Sequence, residues 1–190
     1  YSVLNNKLIP DDVGVFIEYR LPYQNRRIDF IVSGKNLDDS EHAVIVELKQ
    51  WTEAKAIEHK HLVKTFVGHA DREVSHPSYQ AWSYAATLNE YNQVVQEDNI
   101  ELHPCAFLHN YVVIDEEDPI VDANLFEEIN QAPIFTRDDT KKLSDFVASF
   151  IRKNDDKHII FRMDCGKIKP SKSLQDALSS MLQGNREFIM

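Results

Sequence analysis

The sequence predicts a mixed α/β domain, in which an antiparallel meander of strands is followed by a helix, a further strand and shorter helices. Three observations support this fold class. Short apolar runs separated by turn-forming residues fill the first quarter of the chain. A long segment with apolar residues at helical spacing follows, and another apolar run succeeds it. We therefore expect one mixed β-sheet with helices on its flanks.

The first three strands follow directly from short apolar segments. Residues 13–21 (VGVFIEYRL) predict a strand that ends at the turn-forming residues 22–25. Residues 27–34 (RIDFIVSG) predict a second strand, which Ser-Gly terminates. After a polar loop, residues 43–51 (AVIVELKQW) predict a third strand. Because the connections are short, we expect these strands to pair in antiparallel order.

The middle of the chain predicts a helix followed by a strand. Residues 52–66 show no clear period and predict a short irregular or helical excursion. Residues 76–95 predict the clearest helix in the first half of the chain, and Pro77 suits its first position. Apolar residues of this segment recur at helical spacing at Tyr84, Leu88, Tyr91 and Val95. Residues 101–114 predict a further strand, even though they include Pro104.

The last third of the chain predicts further helices, and its closing residues 186–190 (REFIM) predict the start of another strand. Short helices are expected near residues 123–130 and 139–153. Near the C-terminus an amphipathic stripe predicts a further helix, with apolar residues Leu174, Leu178, Met181 and Leu182. Ser171 or Ser173 can cap the start of this helix, and Gly184 can cap its end. We expect residues 1–170 to form one domain and residues 171–190 to form a helical linker.

Composition narrows the class of protein. A chain of 190 residues can bury the core of a single domain. No apolar run approaches the ~20 residues that cross a bilayer, so we expect a soluble protein. The two cysteines, Cys105 and Cys165, are far apart and form no C-x-x-C pair. This argues against a disulfide scaffold or a zinc ribbon, and favours a reducing, cytoplasmic location.

The charge of the chain is unevenly distributed. The formal net charge is −10, yet residues 73–136 hold 12 acidic residues and no Lys or Arg. The rest of the chain holds 21 basic and 19 acidic residues and is close to neutral. The total charge is therefore only weak evidence against a phosphate-containing substrate.

Two charged residues interrupt the apolar third strand. Side chains alternate along a strand, so Glu47 and Lys49 share a face with Ile45. An ordinary cross-strand ion pair explains these two residues when they are taken alone. Asp29, however, interrupts the preceding strand, and a hairpin can bring it beside Glu47. Two adjacent carboxylates repel, and Mg²⁺ or Mn²⁺ between them relieves that repulsion, leaving Lys49 to steady a water or phosphate charge.

Asp29 followed by Glu47-x-Lys49 on the next strand resembles the motif of the PD-(D/E)xK nuclease superfamily. Ile28 stands where that motif usually has proline. The resemblance implies a restriction-endonuclease-like fold and Mg²⁺ (or Mn²⁺) held by Asp29, Glu47 and the backbone carbonyl of Leu48. It also implies hydrolysis of phosphodiester bonds that leaves a 5′-phosphate.

Two further features extend the resemblance. Glu18, on the strand before Asp29, is similar to the upstream acid that some members contribute to the metal, although it can equally pair with Arg20 or Arg27. Gln80 and Tyr84 form Q-x-x-x-Y, similar to the motif on the helix after the catalytic strand in RecB-like members. An i, i+4 pair lies on one helix face, so both side chains can reach the metal site.

Segments along nearly the whole chain resemble the N-terminal region of bacterial Schlafen-like nuclease–helicase proteins. They are EYRLPYQNRRIDFIVSG, VIVELKQW, TFVGHADREVSHPSYQAWSYA and SKSLQDALSSMLQGNREFI. In those proteins a superfamily 1-type ATPase follows the nuclease-like domain. The chain has no G-x-x-x-x-G-K-[ST] motif, so we expect the helicase beyond residue 190. DNA is the expected substrate, with RNA as the alternative, in repair or in defence against foreign DNA.

Competing interpretations remain open at this point. The domain can be a catalytically inactive module that binds nucleic acid or a protein partner for the helicase, and the acidic stretch favours a protein-facing surface. It can also be a structural domain with a charged sheet face. Zinc is not expected, because His59 and His61 have no third ligand at a suitable spacing.

Overall fold

A five-stranded mixed sheet forms the centre of the protein. The computed structural model describes residues 3–21, 25–115, 117–170 and 178–179. The first three strands form an antiparallel meander and comprise β1 (Gly14–Arg20), β2 (Arg27–Lys35) and β3 (Glu41–Lys49). Two strands from later in the chain, β7 (Glu101–Leu108) and β8 (Ile134–Thr136), extend the sheet. Strand β7 pairs in parallel with β3, and β8 pairs in parallel with β7, so the strand order is β1-β2-β3-β7-β8. The predicted mixed α/β class is confirmed.

The segment that follows β3 differs from the prediction. The irregular or helical excursion expected over residues 52–66 is wrong, because the chain forms a separate three-stranded antiparallel sheet. Its strands are β4 (Ala54–Ala56), β5 (Leu62–Val67) and β6 (Ala70–Ser75). Gly68 and His69 both have positive φ, and Val67 pairs with Ala70. These φ values and this pairing fit a two-residue hairpin turn. The Gly-His pair at the turn is the sequence signal for this hairpin, and it was missed.

The helices pack on both faces of the central sheet. They are α1 (Pro77–Tyr91), α2 (Gln93–Glu97), α3 (Thr140–Phe150) and α4 (His158–Cys165). Leu88 of α1 and Met163 of α4 bury against Ile31 and Ile45 on one face. Val147 of α3 packs with residues of the opposite face, including Val44 and Val46. The sheet is thus covered on both sides, as its continuous apolar runs require.

The predicted helices differ from those of the structure in three ways. The helix expected over residues 76–95 stops at Tyr91, because the extended Asn92 caps a new helix by accepting hydrogen bonds from the amides of Val94 and Val95. The helix expected near 123–130 is only a 3-10 turn, Glu127–Asn130. The helix α4 was not predicted.

Strand β7 is shorter than the predicted 101–114, because the chain turns after Leu108. Pro104 is tolerated because β8 pairs with β7 only from Ala106 onward, so no ladder on that side needs a donor from Pro104. The predicted linker over residues 171–190 lies outside the described residues, except for residues 178–179, which are helical. Within the described part of the chain, no helix combines the length and apolar character needed to cross a bilayer.

Candidate functional site

The predicted alternation of β3 places its charged residues beneath α1. Ile45 belongs to the core cluster that includes Leu88 of α1, whereas Val44 and Val46 face α3. Glu47 and Lys49 continue the Ile45 face toward the C-terminal end of the strand. The prediction that both charges lie on a face that β3 otherwise buries is therefore confirmed.

Asp29 lies next to this pair across the β2–β3 hairpin. The strands are paired through Phe30 and Val46, so Asp29 comes opposite Glu47 at the end of the ladder. Its Oδ2 accepts a hydrogen bond of 2.8 Å from the backbone amide of Leu48. That bond fixes the Asp29 carboxylate at the end of the sheet, where it is partly open to solvent.

Glu47 is the most deeply buried acid of the site. Its side chain is 2% exposed, and burial raises its pKa to about 7, against the opposing attraction of Lys49. The neighbouring Asp29 raises the pKa of Glu47 further. In the described part of the chain, Glu47 Oε2 has no hydrogen-bond partner. A buried carboxylate oxygen without a partner, beside a second carboxylate, is an arrangement that a hard divalent cation satisfies.

Lys49 is held by three neighbours. Its Nζ donates to Glu47 Oε1 at 2.6 Å and to Gln80 Oε1 at 3.0 Å. The same ammonium lies 5.6 Å from the ring centroid of Trp51. Its side chain is 18% exposed, so the charged end is oriented by the protein and still reachable from solvent. Sequence reasoning did not identify the contact with Trp51.

The Q-x-x-x-Y pair joins the site from the first half of α1. Pro77 starts this helix, and the buried His76 caps it by accepting from the amide of Ser78. Gln80 accepts from Lys49, and its Nε2 donates to the hydroxyl of Tyr84 at 2.6 Å. Burial, with Glu47 and Asp29 nearby, raises the pKa of Tyr84 to about 12. A continuous chain of hydrogen bonds therefore runs from Tyr84 through Gln80 and Lys49 to Glu47.

Two of the predicted metal ligands, Glu18 and Leu48, make other contacts in the structure. Glu18 forms an ion pair of 2.9 Å with Arg27, and its side chain is 66% exposed. This is the charge-partner role that the sequence left open for it, and its role as an additional metal acid stays a prediction. Leu48 lies beside Asp29, but the contact is made by its amide. The proposed role of its carbonyl also stays a prediction.

One basic residue near the site was not singled out from the sequence. Arg26 is exposed, and its positive charge acts on Tyr84, whose pKa it lowers against the effects of burial and the acids. An exposed guanidinium whose charge reaches Tyr84 is suited to bind a phosphate near the site. The sequence carries only a weak signal for a role of Arg26, namely its position directly before β2, because arginine is common at turns.

A second polar cluster lies at the other end of β3. His42 of β3 and His103 of β7 are neighbours, with 2.9 Å between His42 Nδ1 and His103 Nε2. Glu101 lies beside both rings. Burial and the nearby His42 lower the pKa of His103 to about 4. The sequence carries little signal for this cluster, because 61 residues separate the two histidines.

The comparisons with known proteins do not add to this geometry. No protein-family model matches the chain, and neither a curated protein nor a solved structure matches it.

Proposed function

We propose that the protein is a metal-dependent nuclease of the PD-(D/E)xK type, which hydrolyses phosphodiester bonds in DNA, with RNA as the alternative substrate. The observation that carries this proposal is the convergence of Asp29, Glu47 and Lys49 at one end of the sheet. The hydrogen bonds of Gln80 to Lys49 and to Tyr84 support it further. A surface ion pair needs neither a second carboxylate nor a bracing amide.

The donor set fits Mg²⁺ or Mn²⁺. Asp29 and Glu47 offer carboxylate oxygens, and Glu47 Oε2 is buried and without a partner among the described residues. Both oxygens are hard ligands, as these cations prefer. The cation would supply Lewis-acid polarisation of the scissile phosphate and activation of a water nucleophile. The Leu48 carbonyl and Glu18 are the further ligands that we propose for it.

Lys49 supplies the positive charge that the protein itself brings to the reaction. Its ammonium is pre-oriented by Glu47 and Gln80, so little reorganisation is needed when negative charge develops on the phosphate. Gln80 and Tyr84 act as positioning residues, because Gln80 contacts Lys49 and Tyr84 holds Gln80. Arg26 is placed to bind a phosphate of the nucleic-acid backbone.

The order of elements supports a restriction-endonuclease-like fold. An antiparallel meander (β1–β3), a helix (α1) and a parallel strand (β7) follow one another, and the acidic residues lie on β2 and β3. In this proposal the chain is the nuclease part of a cytoplasmic, bacterial Schlafen-like nuclease–helicase. Its partner within the protein is the helicase that follows it.

A cleavage assay tests the proposal. The purified chain is incubated with labelled single-stranded DNA, duplex DNA and RNA, in Mg²⁺, in Mn²⁺ and in EDTA. We expect cation-dependent cleavage, and we expect Asp29→Asn and Lys49→Met each to reduce it by roughly 10²–10³-fold. Lys141→Met is the matched control, since Lys141 forms an exposed i, i+4 pair with Asp145 on α3. This control is expected to cleave like the wild type.

Cation binding separates the nuclease from the competing function. A catalytically inactive module is favoured by the acidic stretch of residues 73–136, which suits a protein-facing surface better than a phosphate backbone. Calorimetric titration with Mn²⁺ distinguishes the two. Binding that Asp29→Asn abolishes, together with cleavage, supports the nuclease. A chain that neither binds Mn²⁺ nor cleaves any of the three substrates is the inactive module.

A further inference from the structure

The cluster formed by His42, His103 and Glu101 is separate from the proposed nuclease site. His42 faces α3 with Val44 and Val46, whereas Glu47 faces α1. Glu47 lies five residues after His42 along β3, which corresponds to roughly 17 Å. The two sites therefore occupy opposite ends and opposite faces of the same strand and share no residue.

The three potential ligand atoms form a compact triangle. His42 Nδ1 lies 2.9 Å from His103 Nε2 and 3.8 Å from Glu101 Oε2. The third side, from His103 Nε2 to Glu101 Oε2, is 4.0 Å. A triangle with these sides has a centre about 2.1 Å from each corner, which matches usual zinc–nitrogen and zinc–oxygen bond lengths. An ion can thus contact all three atoms with very little movement.

The surroundings of His42 favour the tautomer that a metal needs. Ser40 Oγ donates its only hydrogen to the carboxylate of Asp38, so it accepts from His42 Nε2 at 2.7 Å. His42 Nε2 therefore carries the proton, and the lone pair lies on Nδ1, which accepts from His103 Nε2 at 2.9 Å. A metal would take the place of that hydrogen, with the proton of the neutral His103 ring on its Nδ1. A carboxylate–hydroxyl–imidazole chain of this kind orients metal-ligating histidines.

The second histidine is also fixed in place. The ring of His103 stacks on Phe150 of α3, with 3.5 Å between the ring centroids and 10° between the planes. Its side chain is 17% exposed and that of His42 only 5%, whereas Glu101 is 63% exposed. Two buried or half-buried nitrogen ligands and one exposed carboxylate leave room on the solvent side for a water molecule as a fourth ligand.

We propose that His42, His103 and Glu101 bind Zn²⁺. The donor set of two imidazoles and one carboxylate suits zinc better than Mg²⁺ or Ca²⁺, which prefer oxygen ligands alone. The ion would join the start of β3 to the start of β7 and, through the stacked Phe150, to the end of α3. Its role is to stabilise the sheet.

Zinc and cobalt binding test this proposal. The measurements use the chain with Asp29→Asn and Cys165→Ser, which removes the other proposed metal site and the exposed thiol. We expect one Zn²⁺ per chain after dialysis, measured by elemental analysis, and visible Co²⁺ bands of a four-coordinate site. We also expect saturating zinc to raise the Tm by roughly 5–10 °C when free zinc is about a hundred times Kd.

Three variants and one control decide the outcome. His103→Gln is expected to abolish binding, Glu101→Gln to weaken it, and Ser40→Ala to weaken it by roughly 10–100-fold. His69→Gln, in the exposed turn between β5 and β6, is the matched control and is expected to bind like the parent. Circular dichroism checks the fold of each variant. If His103→Gln does not fold, the exposed Glu101→Gln decides.

Two results would overturn the proposal. One is the absence of saturable Zn²⁺ or Co²⁺ binding at micromolar metal, which would leave an ordinary hydrogen bond between His42 and His103. The other is binding that Glu101→Gln and Ser40→Ala leave unchanged, which would place the ion elsewhere.

Discussion

Replacing Gln80 with alanine tests whether the α1 helix positions Lys49. Gln80 is the only residue of α1 that the structure places in hydrogen-bond contact with Lys49, in the described part of the chain. On its other side, Gln80 Nε2 donates a hydrogen bond of 2.6 Å to the hydroxyl of Tyr84. The substitution removes both hydrogen bonds at once and leaves the ion pair between Lys49 and Glu47 in place.

The size of the effect follows from these two bonds. A hydrogen bond to a charged group contributes about 1.5–3 kcal/mol, and a neutral one contributes about 0.5–1.5 kcal/mol. Gln80 is half-buried, so water replaces part of the loss, and we expect the free energy of unfolding to fall by about 2 kcal/mol. For a chain of this length this corresponds to a Tm lower by roughly 4–8 °C. A misplaced Lys49 is expected to lower kcat by about 10–100-fold, with KM nearly unchanged.

Two measurements check this prediction independently. Thermal unfolding monitors the stability, and single-turnover cleavage monitors the reaction. Gln93→Ala is the matched control, since Gln93 donates to Glu97 on α2, away from the site. The variant Tyr84→Phe, combined with Gln80→Ala, is expected to be non-additive because both act through one chain of bonds. Bracing by Gln80 is refuted if Gln80→Ala cleaves within twofold of the wild type while Lys49→Met is inactive.

Three further predictions concern the fold. Leu88→Ala opens a cavity in the core between α1 and the sheet and is expected to cost about 2–5 kcal/mol in urea unfolding; a loss under 1 kcal/mol would contradict this packing. Gly34→Ala places a Cβ 2.7 Å from Ile151 Cγ2 and 2.8 Å from the carbonyl oxygen of Lys153, and is expected to cost about 1–3 kcal/mol in the same assay. Burial lowers the pKa of His76 from 6.5 to about 4, so the unfolded chain binds the extra proton between these values. The contribution of neutral His76 to the free energy of unfolding is then fully present above pH 6.5 and falls as the pH drops. The loss from His76 alone is about 2 kcal/mol near pH 5. The variant His76→Gln should show a correspondingly smaller dependence of stability on pH.

Several features could be predicted from local patterns alone. The strands around Asp29 and Glu47 and the start of α1 at Pro77 follow from apolar spacing and turn residues, and the structure agrees. The neighbourhood of Asp29 and Glu47 could also be inferred, because a hairpin with a short connection allows few registers. The three-stranded sheet after Trp51 was missed, because its strands are short and carry charges that hide their period.

The sequence by itself determined the mixed α/β class, the face of β3 that carries the charges, and the residue types of the proposed nuclease site. These depend on spacings of two to four residues, which strand and helix geometry convert directly into a shared face. Only the tertiary structure decided that Gln80 contacts Lys49 and that His42 meets His103. Those contacts depend on how α1 packs on the sheet and on the parallel register of β3 and β7. Such registers join residues far apart in the chain, and no local pattern specifies them.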